Sequence, residues 1–256
     1  MDLIPVSFYD TIHLEKTASG ILEFSSNMQG IPAEENLVVK AVRLLEKAVG
    51  KQFSLKITLD KKIPSGAGLG GGSGNAAGVL KVLNRWYEIG LPDKVLSDLA
   101  LKLGADVPFF LDPRPSHATG IGENLNLIPQ FKPLEIILLN PGFQISTGKA
   151  YSNCHISGRK EIIKSYTPGF FSTQQADIND FWLSLVKNYP ELTRCRQRLI
   201  DEGAVFSGLS GSGSTVFGIF ETHDTCDKAF DAIKSHDAWK AVRCNTLQHH
   251  DYFMMG

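Results

Sequence analysis

Six of the nine residues from 66 to 74 are glycine, and this stretch offers the clearest chemistry in the chain. Without side chains in the way, backbone N–H groups can converge on an anion. A run with helical spacing begins at Asn75, and the free amides and dipole at a helix N-terminus favour negative charge. Ser73 is expected to cap that helix and to offer its hydroxyl to phosphate or Mg²⁺. The stretch therefore predicts a phosphate-binding loop consisting of Pro64, Ser65, Gly66, Ala67, Gly68, Leu69, Gly70, Gly71, Gly72, Ser73 and Gly74.

Three other interpretations of the glycine-rich stretch fit the residues less well. A Walker A loop requires Lys-Ser or Lys-Thr after its last glycine, and neither pair is present here. A dinucleotide-binding loop is a remote alternative, because residues 60–65 separate the preceding strand from the first glycine and no acidic residue ends a second strand. A flexible linker seldom runs straight into a helix start. Phosphate binding remains the best interpretation.

Two further segments make the sequence similar to a known family. The glycine loop resembles the second motif of the GHMP kinases, in the form found in the diphosphocytidyl-methylerythritol kinases. Residues 103–110, Leu-Gly-Ala-Asp-Val-Pro-Phe-Phe, resemble a segment that is far more selective for this one family. Residues 208–217 resemble the third motif, a glycine-rich turn that returns to the phosphate site. With weaker similarities between these segments, the resemblance covers essentially the whole chain.

The resemblance implies ATP as phosphoryl donor, with Mg²⁺ bridging its phosphates. Phosphoryl transfer mainly requires aligned oxygens and neutralised charge, so a backbone cradle and one carboxylate near the acceptor hydroxyl suffice. By motif position Asp106 takes the role of general base or orienting acceptor, and its apolar neighbours disfavour a solvated surface role. Ser212 and Gly213 would face the transferred phosphate or the substrate diphosphate. Thr147 would approach the nucleotide or the substrate, although a turn-capping role is equally open.

The implied substrate is a small molecule, 4-diphosphocytidyl-2-C-methylerythritol, phosphorylated on its 2-hydroxyl in non-mevalonate isoprenoid biosynthesis. Homoserine, mevalonate and sugar kinases share the glycine loop and remain alternatives, although residues 103–110 favour the first assignment. A catalytically impaired nucleotide-binding relative is another alternative, and ATP binding without turnover would distinguish it.

The sequence departs from the family pattern at two places. The family opens with a strand bearing Ala-Lys-Ile-Asn-Leu and an Asp-Gly-Tyr-His segment, which supply a lysine, an asparagine and the cytosine-binding groups. Residues 1–14 instead resemble the stretch that follows, so we expect an exposed sheet edge, poor activity and reduced stability. Gly74 stands where the family has a second serine, and Ser73 is expected to suffice.

Apolar periodicity predicts the elements that position these motifs. The mixture of strands and helices without repeats predicts an α+β protein. The resemblance implies the two-domain GHMP kinase fold: a ribosomal-protein-S5-like ATP-binding domain at residues 1–132 and a ferredoxin-like domain at residues 133–256, with the site between them. Asp93 is expected to cap the third helix. The predicted strands are 7–14, 53–59, 134–139, 204–209, 215–220 and 241–246, and the predicted helices are 37–49, 75–87, 93–104, 178–187, 191–202 and 222–235.

Composition excludes several other classes. The net charge is −1 and basic residues form no long stripe, which disfavours nucleic-acid binding. Four distant cysteines without a Cys-x-x-Cys pair disfavour a zinc site and a disulfide framework, so we expect a reduced, cytoplasmic protein. No apolar run approaches the roughly 20 residues that cross a bilayer, and the N-terminus has no signal-peptide pattern. The sequence does not predict an oligomeric state.

Overall fold

The computed structural model describes residues 1–28, 30–152, 154, 166–171, 179–234 and 239–249. Its strands are β1 (Asp2–Leu3), β2 (Thr11–Lys16), β3 (Leu22–Ser26), β4 (Leu55–Asp60), β5 (Ser116–Thr119), β6 (Asn124–Leu127), β7 (Glu135–Asn140), β8 (Phe206–Leu209), β9 (Val216–Phe220) and β10 (Lys240–Asn245). Its helices are α1 (Leu37–Val49), α2 (Gly71–Trp86), α3 (Asp93–Leu103), α4 (Thr147–Ser152), α5 (Pro168–Phe171), α6 (Phe181–Val186), α7 (Pro190–Asp201) and α8 (His223–Lys234).

In the first half of the chain, helices α1, α2 and α3 share one apolar core with the sheet ordered β2-β4-β3. The alternation along β4 places Leu55, Ile57 and Leu59 in this core, each at most 1% exposed. Helix α1 has the predicted ends: the Asn36 side chain accepts a hydrogen bond from the Val38 N–H, and a left-handed Gly50 closes the helix. A small sheet ordered β1-β5-β6 is formed by one strand that precedes this unit in the sequence and two that follow it.

The second half of the chain contains an antiparallel sheet ordered β10-β7-β9-β8. Along the sequence the elements follow in the order β7, helices α4 to α7, β8, β9, α8 and β10. This order of strand, helices, two strands, helix and strand is the ferredoxin-like arrangement. The expected α+β fold and the ferredoxin-like character of this half are therefore confirmed.

Strand β7 is buried on both of its faces, as its continuous apolar sequence indicates. Ile137 and Leu139 join a core formed with α7 and α8, whereas Ile136 and Leu138 face a second core on the opposite side of the sheet. That second core is completed by apolar residues from the first half of the chain, which are Ile4, Val6, Phe8, Leu69, Ile128 and Phe131. Because Leu69 belongs to the glycine loop, the loop is packed between the two halves.

Several predicted boundaries are wrong for local reasons. The strand expected at 7–14 begins only at Thr11. The residue before it, Asp10, instead has its carboxylate buried in an ion pair with Lys61. Asp93 does not cap α3, because it is already the first helical residue and Pro92 precedes it. The short helices α4 and α5 lack a periodic signal. Residues 178 and 235, at the ends of two predicted helices, lie outside the described residues.

The division of the chain at residues 132 and 133 stays a prediction. Ser7 N–H donates to the Asn245 carbonyl and Leu247 N–H donates to the Pro5 carbonyl, so both termini contribute to the second half. None of the helices that the structure describes is long and apolar enough to cross a membrane.

We expect Asn36→Ala to lower the free energy of unfolding by about 1 kcal/mol, because the Val38 N–H loses its capping acceptor. Asn36→Ser keeps a capping oxygen and should retain most of the stability. Urea denaturation followed by circular dichroism measures both values. Equal losses in the two variants would contradict a capping role.

Candidate active site

The glycine loop leaves β4 at Asp60 and enters α2 at Gly71. The helix therefore starts four residues before the predicted Asn75, and the residue before it is Gly70 in a left-handed conformation. Ser73 lies in the first turn and is buried, so the expected capping role of Ser73 is wrong. The N–H groups of a first helical turn have no carbonyl partner within the helix. Residues 71–73 consequently present backbone donors at the end of the loop.

A single carboxylate ties the two ends of this loop together. Asp10 Oδ1 accepts hydrogen bonds from the backbone N–H groups of Lys62 and Ile63, at 2.7 and 2.8 Å. Asp10 Oδ2 accepts from Lys61 Nζ at 2.7 Å and from Asn75 Nδ2 at 2.8 Å. The carboxylate is completely buried. It therefore links the segment that enters the loop with the helix that leaves it.

Lys61 places a cation at the same point. Its Nζ also donates to the Ile63 carbonyl and lies 3.0 Å from where a Cβ of Gly71 would stand. Burial lowers the pKa of the Lys61 ammonium, and the hydrogen bond and charge of Asp10 oppose that shift. The start of α2 is thus flanked by a positive charge held by a buried partner.

The residues from 210 to 215, the C-terminal glycine turn, pack directly against the glycine loop. Ser210 Oγ donates to the Gly68 carbonyl at 2.9 Å, and the Thr215 N–H donates to the Ala67 carbonyl at 3.1 Å. Gly68 has φ +73°, and a Cβ there would lie 2.2 Å from the Ser210 carbonyl oxygen. Only glycine allows this approach, so the two turns form one surface.

Asp106 lies close to the same loop, at Gly70. One oxygen of its carboxylate is 3.7 Å from where a Cβ of Gly70 would be, and the ring of Phe110 covers Gly70 and Gly74. Asp106 is partly buried and immediately precedes a short 3₁₀ helix, Val107–Leu111. The structure therefore brings Asp106 to the residue before α2, where a bound phosphate would meet the helix.

The remaining predicted residues gather at the C-terminal glycine turn. Thr147, the first residue of α4, has its hydroxyl 3.4 Å from that of Ser212. The Gly213 N–H donates to the Ser210 carbonyl at 2.9 Å. The segment before α4 contacts the glycine loop, because the Ile145 N–H donates to the Gly66 carbonyl at 3.4 Å.

An open hollow adjoins the first residues of the glycine loop. Ser65 Oγ donates to the sulfur of Met28, one of its lining residues, at 3.0 Å. The lining combines apolar side chains with hydroxyl and amide groups suited to a flat, partly polar ring. It consists of Phe24, Ser25, Ser26, Met28, Ile31, Ala33 and Asn36.

Sequence reasoning missed the residues that support these turns. Asp10 and Lys61 were visible only as parts of predicted strand and connecting segments, and Asn179, whose side-chain amide donates to the Leu209 carbonyl, carried no signal. Their partners are far away in sequence: 51 residues separate Asp10 from Lys61, and 30 separate Asn179 from Leu209. The adjacent charged residues Lys61 and Lys62, just before the glycine-rich stretch, were the one usable hint.

Family comparisons agree with this geometry. The model of the GHMP kinases N terminal domain matches residues 36–112, and that of the GHMP kinases C terminal region matches residues 169–238. A glycine-rich loop packed against a ferredoxin-like sheet is thus the architecture of a GHMP kinase, an enzyme that takes its phosphoryl group from ATP.

Individual relatives define the family more narrowly. The chain is 37% identical over 240 residues to the 4-diphosphocytidyl-2-C-methyl-D-erythritol kinase of Chlorobium chlorochromatii, covering 90% of this chain and 82% of that protein. The kinase of the same name from Pelobacter propionicus is 36% identical over 249 residues, covering 94% and 88%. This chain belongs to the family of 4-diphosphocytidyl-2-C-methyl-D-erythritol kinases.

Solved structures show the same relationship. A crystal structure of 4-(cytidine 5'-diphospho)-2C-methyl-D-erythritol kinase gives a TM-score of 0.80 at 32% identity, covering 95% of this chain and 88% of that one. The homoserine kinase from Cytophaga hutchinsonii gives a TM-score of 0.67 at 17% identity, covering 96% and 88%, and shares the fold alone.

Replacing Asp10 with Asn should lower the free energy of unfolding by about 3–5 kcal/mol, because the buried Lys61 ammonium loses its partner and an amide nitrogen meets backbone donors. Asp112→Asn is the matched control: its pair with Arg114 is half exposed and should contribute about 0–1 kcal/mol. Chemical denaturation measures both.

If Asp10→Asn does not fold, Asn75→Ala provides a second test, because it removes one donor to the Asp10 carboxylate. It should lower the free energy of unfolding by about 1 kcal/mol and weaken ATP binding. Similar small losses in both aspartate variants would contradict the linking role of Asp10.

Gly68→Ala should separate the two glycine turns and weaken ATP binding. The left-handed backbone alone costs about 1–2 kcal/mol for alanine, and the contact with the Ser210 carbonyl adds to this. Gly78→Ala is the control, because Gly78 lies within α2 with nothing within 4 Å of a Cβ. The free energy of unfolding of Gly78→Ala should rise by about 0.5–1 kcal/mol. Calorimetric titration with ATP and thermal denaturation test the pair; unchanged ATP affinity in Gly68→Ala would exclude this arrangement.

Proposed function

We propose that this protein transfers the γ-phosphoryl group of ATP to the 2-hydroxyl of 4-diphosphocytidyl-2-C-methyl-D-erythritol. One structural observation carries the proposal: the Asp106 carboxylate lies against Gly70, next to the first turn of α2. An acceptor hydroxyl bound to Asp106 would therefore be close to a phosphate bound at that turn. The choice of substrate is supported by relatives that carry this name and cover about nine tenths of the chain.

In this proposal the ATP phosphates bind the glycine loop, at residues 64–74, with the free N–H groups of residues 71–73 directed at them. The purine ring occupies the hollow beside Ser65 and Met28, which adjoins the start of the loop. Lys61 adds positive charge at the same helix end. These placements put the γ-phosphate near Gly70, between Asp106 and the C-terminal glycine turn.

Asp106 orients the substrate hydroxyl and accepts its proton as the oxygen attacks the γ-phosphorus. The bond between the γ-phosphorus and the bridging oxygen breaks, and ADP leaves. Ser212 and Gly213 contact the transferred phosphate or the substrate diphosphate, and the Thr147 hydroxyl supports Ser212. Because the two turns are joined through Gly68, the ATP phosphates and the substrate diphosphate would be held at a fixed separation.

Mg²⁺ fits the donor groups at this position. The ion prefers oxygen ligands and is usually held by one or two carboxylates together with substrate phosphates. Asp106 is the carboxylate beside the start of α2, and Ser73 offers a hydroxyl in its first turn. When bound, the ion neutralises charge on the ATP phosphates. We place the reaction in the cytoplasm, which is supported by four cysteines that form no disulfide.

A coupled assay of ADP release tests the proposed function. Purified protein is supplied with ATP, Mg²⁺ and, in separate reactions, the diphosphocytidyl substrate, homoserine, mevalonate or no acceptor. We expect turnover with the first acceptor alone, loss of turnover in excess EDTA, and a new phosphomonoester at the 2-position by phosphorus NMR. Turnover with homoserine or mevalonate would overturn the substrate assignment, and ATP binding without any turnover would favour the catalytically impaired alternative.

Asp106→Asn should lower kcat by about 10²- to 10⁴-fold, because the amide cannot accept the hydroxyl proton. The KM for ATP should change little, since the loop amides remain in place. Asp98→Asn, on the exposed face of α3 where it pairs with Lys94, is the control and should retain normal activity. Steady-state kinetics measure both variants. A kcat within threefold of the unmodified protein would exclude Asp106 from the chemical step.

A further inference from the structure

Asn179 contacts the C-terminal glycine turn through both hydrogens of its side-chain amide. Its Nδ2 donates to the Leu209 carbonyl at 2.9 Å and to the Gly211 carbonyl at 2.8 Å. Its Oδ1 accepts from the Phe181 N–H at 2.9 Å, which anchors the side chain at the start of α6. The amide therefore links a helix to two carbonyls that bracket Ser210.

The turn contains two glycines, so its backbone keeps one conformation only where hydrogen bonds hold it. Gly211 and Gly213 have φ values of +51° and +79°, and glycine retains wide conformational freedom. A Cβ at Gly211 would lie 3.0 Å from the Gly68 carbonyl oxygen, so the turn is close to the glycine loop on one side. Asn179 holds it by hydrogen bonds to its carbonyls.

Peptide geometry connects these carbonyls with the proposed site. In a trans peptide the C=O and the following N–H point in opposite directions. A Gly211 carbonyl held by Asn179 therefore turns the N–H of Ser212 away from Asn179. Ser212 has its side chain beside Thr147, so the orientation of this residue is set from both ends.

We propose that Asn179 is a positioning residue, which sets the backbone of the C-terminal glycine turn so that Ser212 and Gly213 can bind phosphate. The inference rests on the proposed function in one respect, namely that these two residues contact the phosphate groups. Asn179 itself acts through the Leu209 and Gly211 carbonyls and does not touch the substrate.

A simpler role would be to cap α6, but that role uses only part of the side chain. Capping requires the Oδ1 acceptor for the Phe181 N–H, and an aspartate provides this acceptor equally well. The two Nδ2 bonds have no part in it. Asn179→Asp therefore preserves the cap, removes both donors to the turn, and places a carboxylate oxygen against two carbonyl oxygens.

The experiment compares Asn179→Asp with Asn188→Asp. Asn188 is the matched control because it lies just beyond α6 and makes an exposed, long bond of 3.5 Å to the Ser184 carbonyl. Amide hydrogen exchange over residues 209–216 is measured by mass spectrometry together with kcat and KM. We expect Asn179→Asp to raise exchange in this segment about tenfold or more and to lower kcat about 10- to 100-fold, with KM for ATP within about threefold. Asn188→Asp should change neither.

Each outcome decides the inference. Unchanged exchange in the turn, or faster exchange with normal kcat, would overturn it. Faster exchange throughout the protein with a proportional loss of folded material would indicate a purely structural role and would also overturn it. If the unmodified protein does not phosphorylate the diphosphocytidyl substrate, the proposed function fails separately. Amide exchange measured with ATP bound then decides. If ATP protects the turn from exchange in the unmodified protein and in Asn188→Asp but not in Asn179→Asp, the inference is supported. Equal protection in both variants contradicts it.

Discussion

The geometry of the site depends on one buried carboxylate. A glycine-rich loop cannot be held by its own side chains, and the backbone freedom that lets it approach phosphate also makes it costly to order. Asp10 removes that freedom at both ends, because its two oxygens accept four hydrogen bonds from the entering segment and from α2. A buried charge requires such a full set of partners, so the cluster is maintained only when the loop is correctly placed.

The second requirement is that the two glycine turns stay together. They meet at Gly68, where the Ser210 carbonyl occupies the space of a side chain, and Leu69 places its own side chain in the core beneath the four-stranded sheet. The loop is therefore attached to both halves of the molecule. Asp106 lies against Gly70 and Ser210 bonds to the Gly68 carbonyl, so contacts from both halves converge on residues 68–70 of the loop.

Features with a local physical cause could be predicted from the sequence. The apolar alternation of β4, the range of α1 and the glycine loop each depend on neighbouring residues. The start of α2 was predicted too late, because glycine has low helix propensity and the contacts that favour a helix at residues 71–74 are tertiary. Asp10 and Asn179 could not be found, because the importance of each lies entirely in partners brought close by folding.

The contact between the two chain ends has a consequence for biosynthesis. Ser7 and Pro5 bond to Asn245 and Leu247, and Ile4, Val6 and Phe8 complete the core under β7. These contacts span nearly the full length of the chain, and such distant pairings form late because loop closure is slow. During synthesis residues 4–8 must therefore wait, with their apolar side chains uncovered, until β10 has emerged from the ribosome. The apolar side chains at residues 4–8 therefore add to the risk of aggregation during synthesis, although they lie outside the glycine loop.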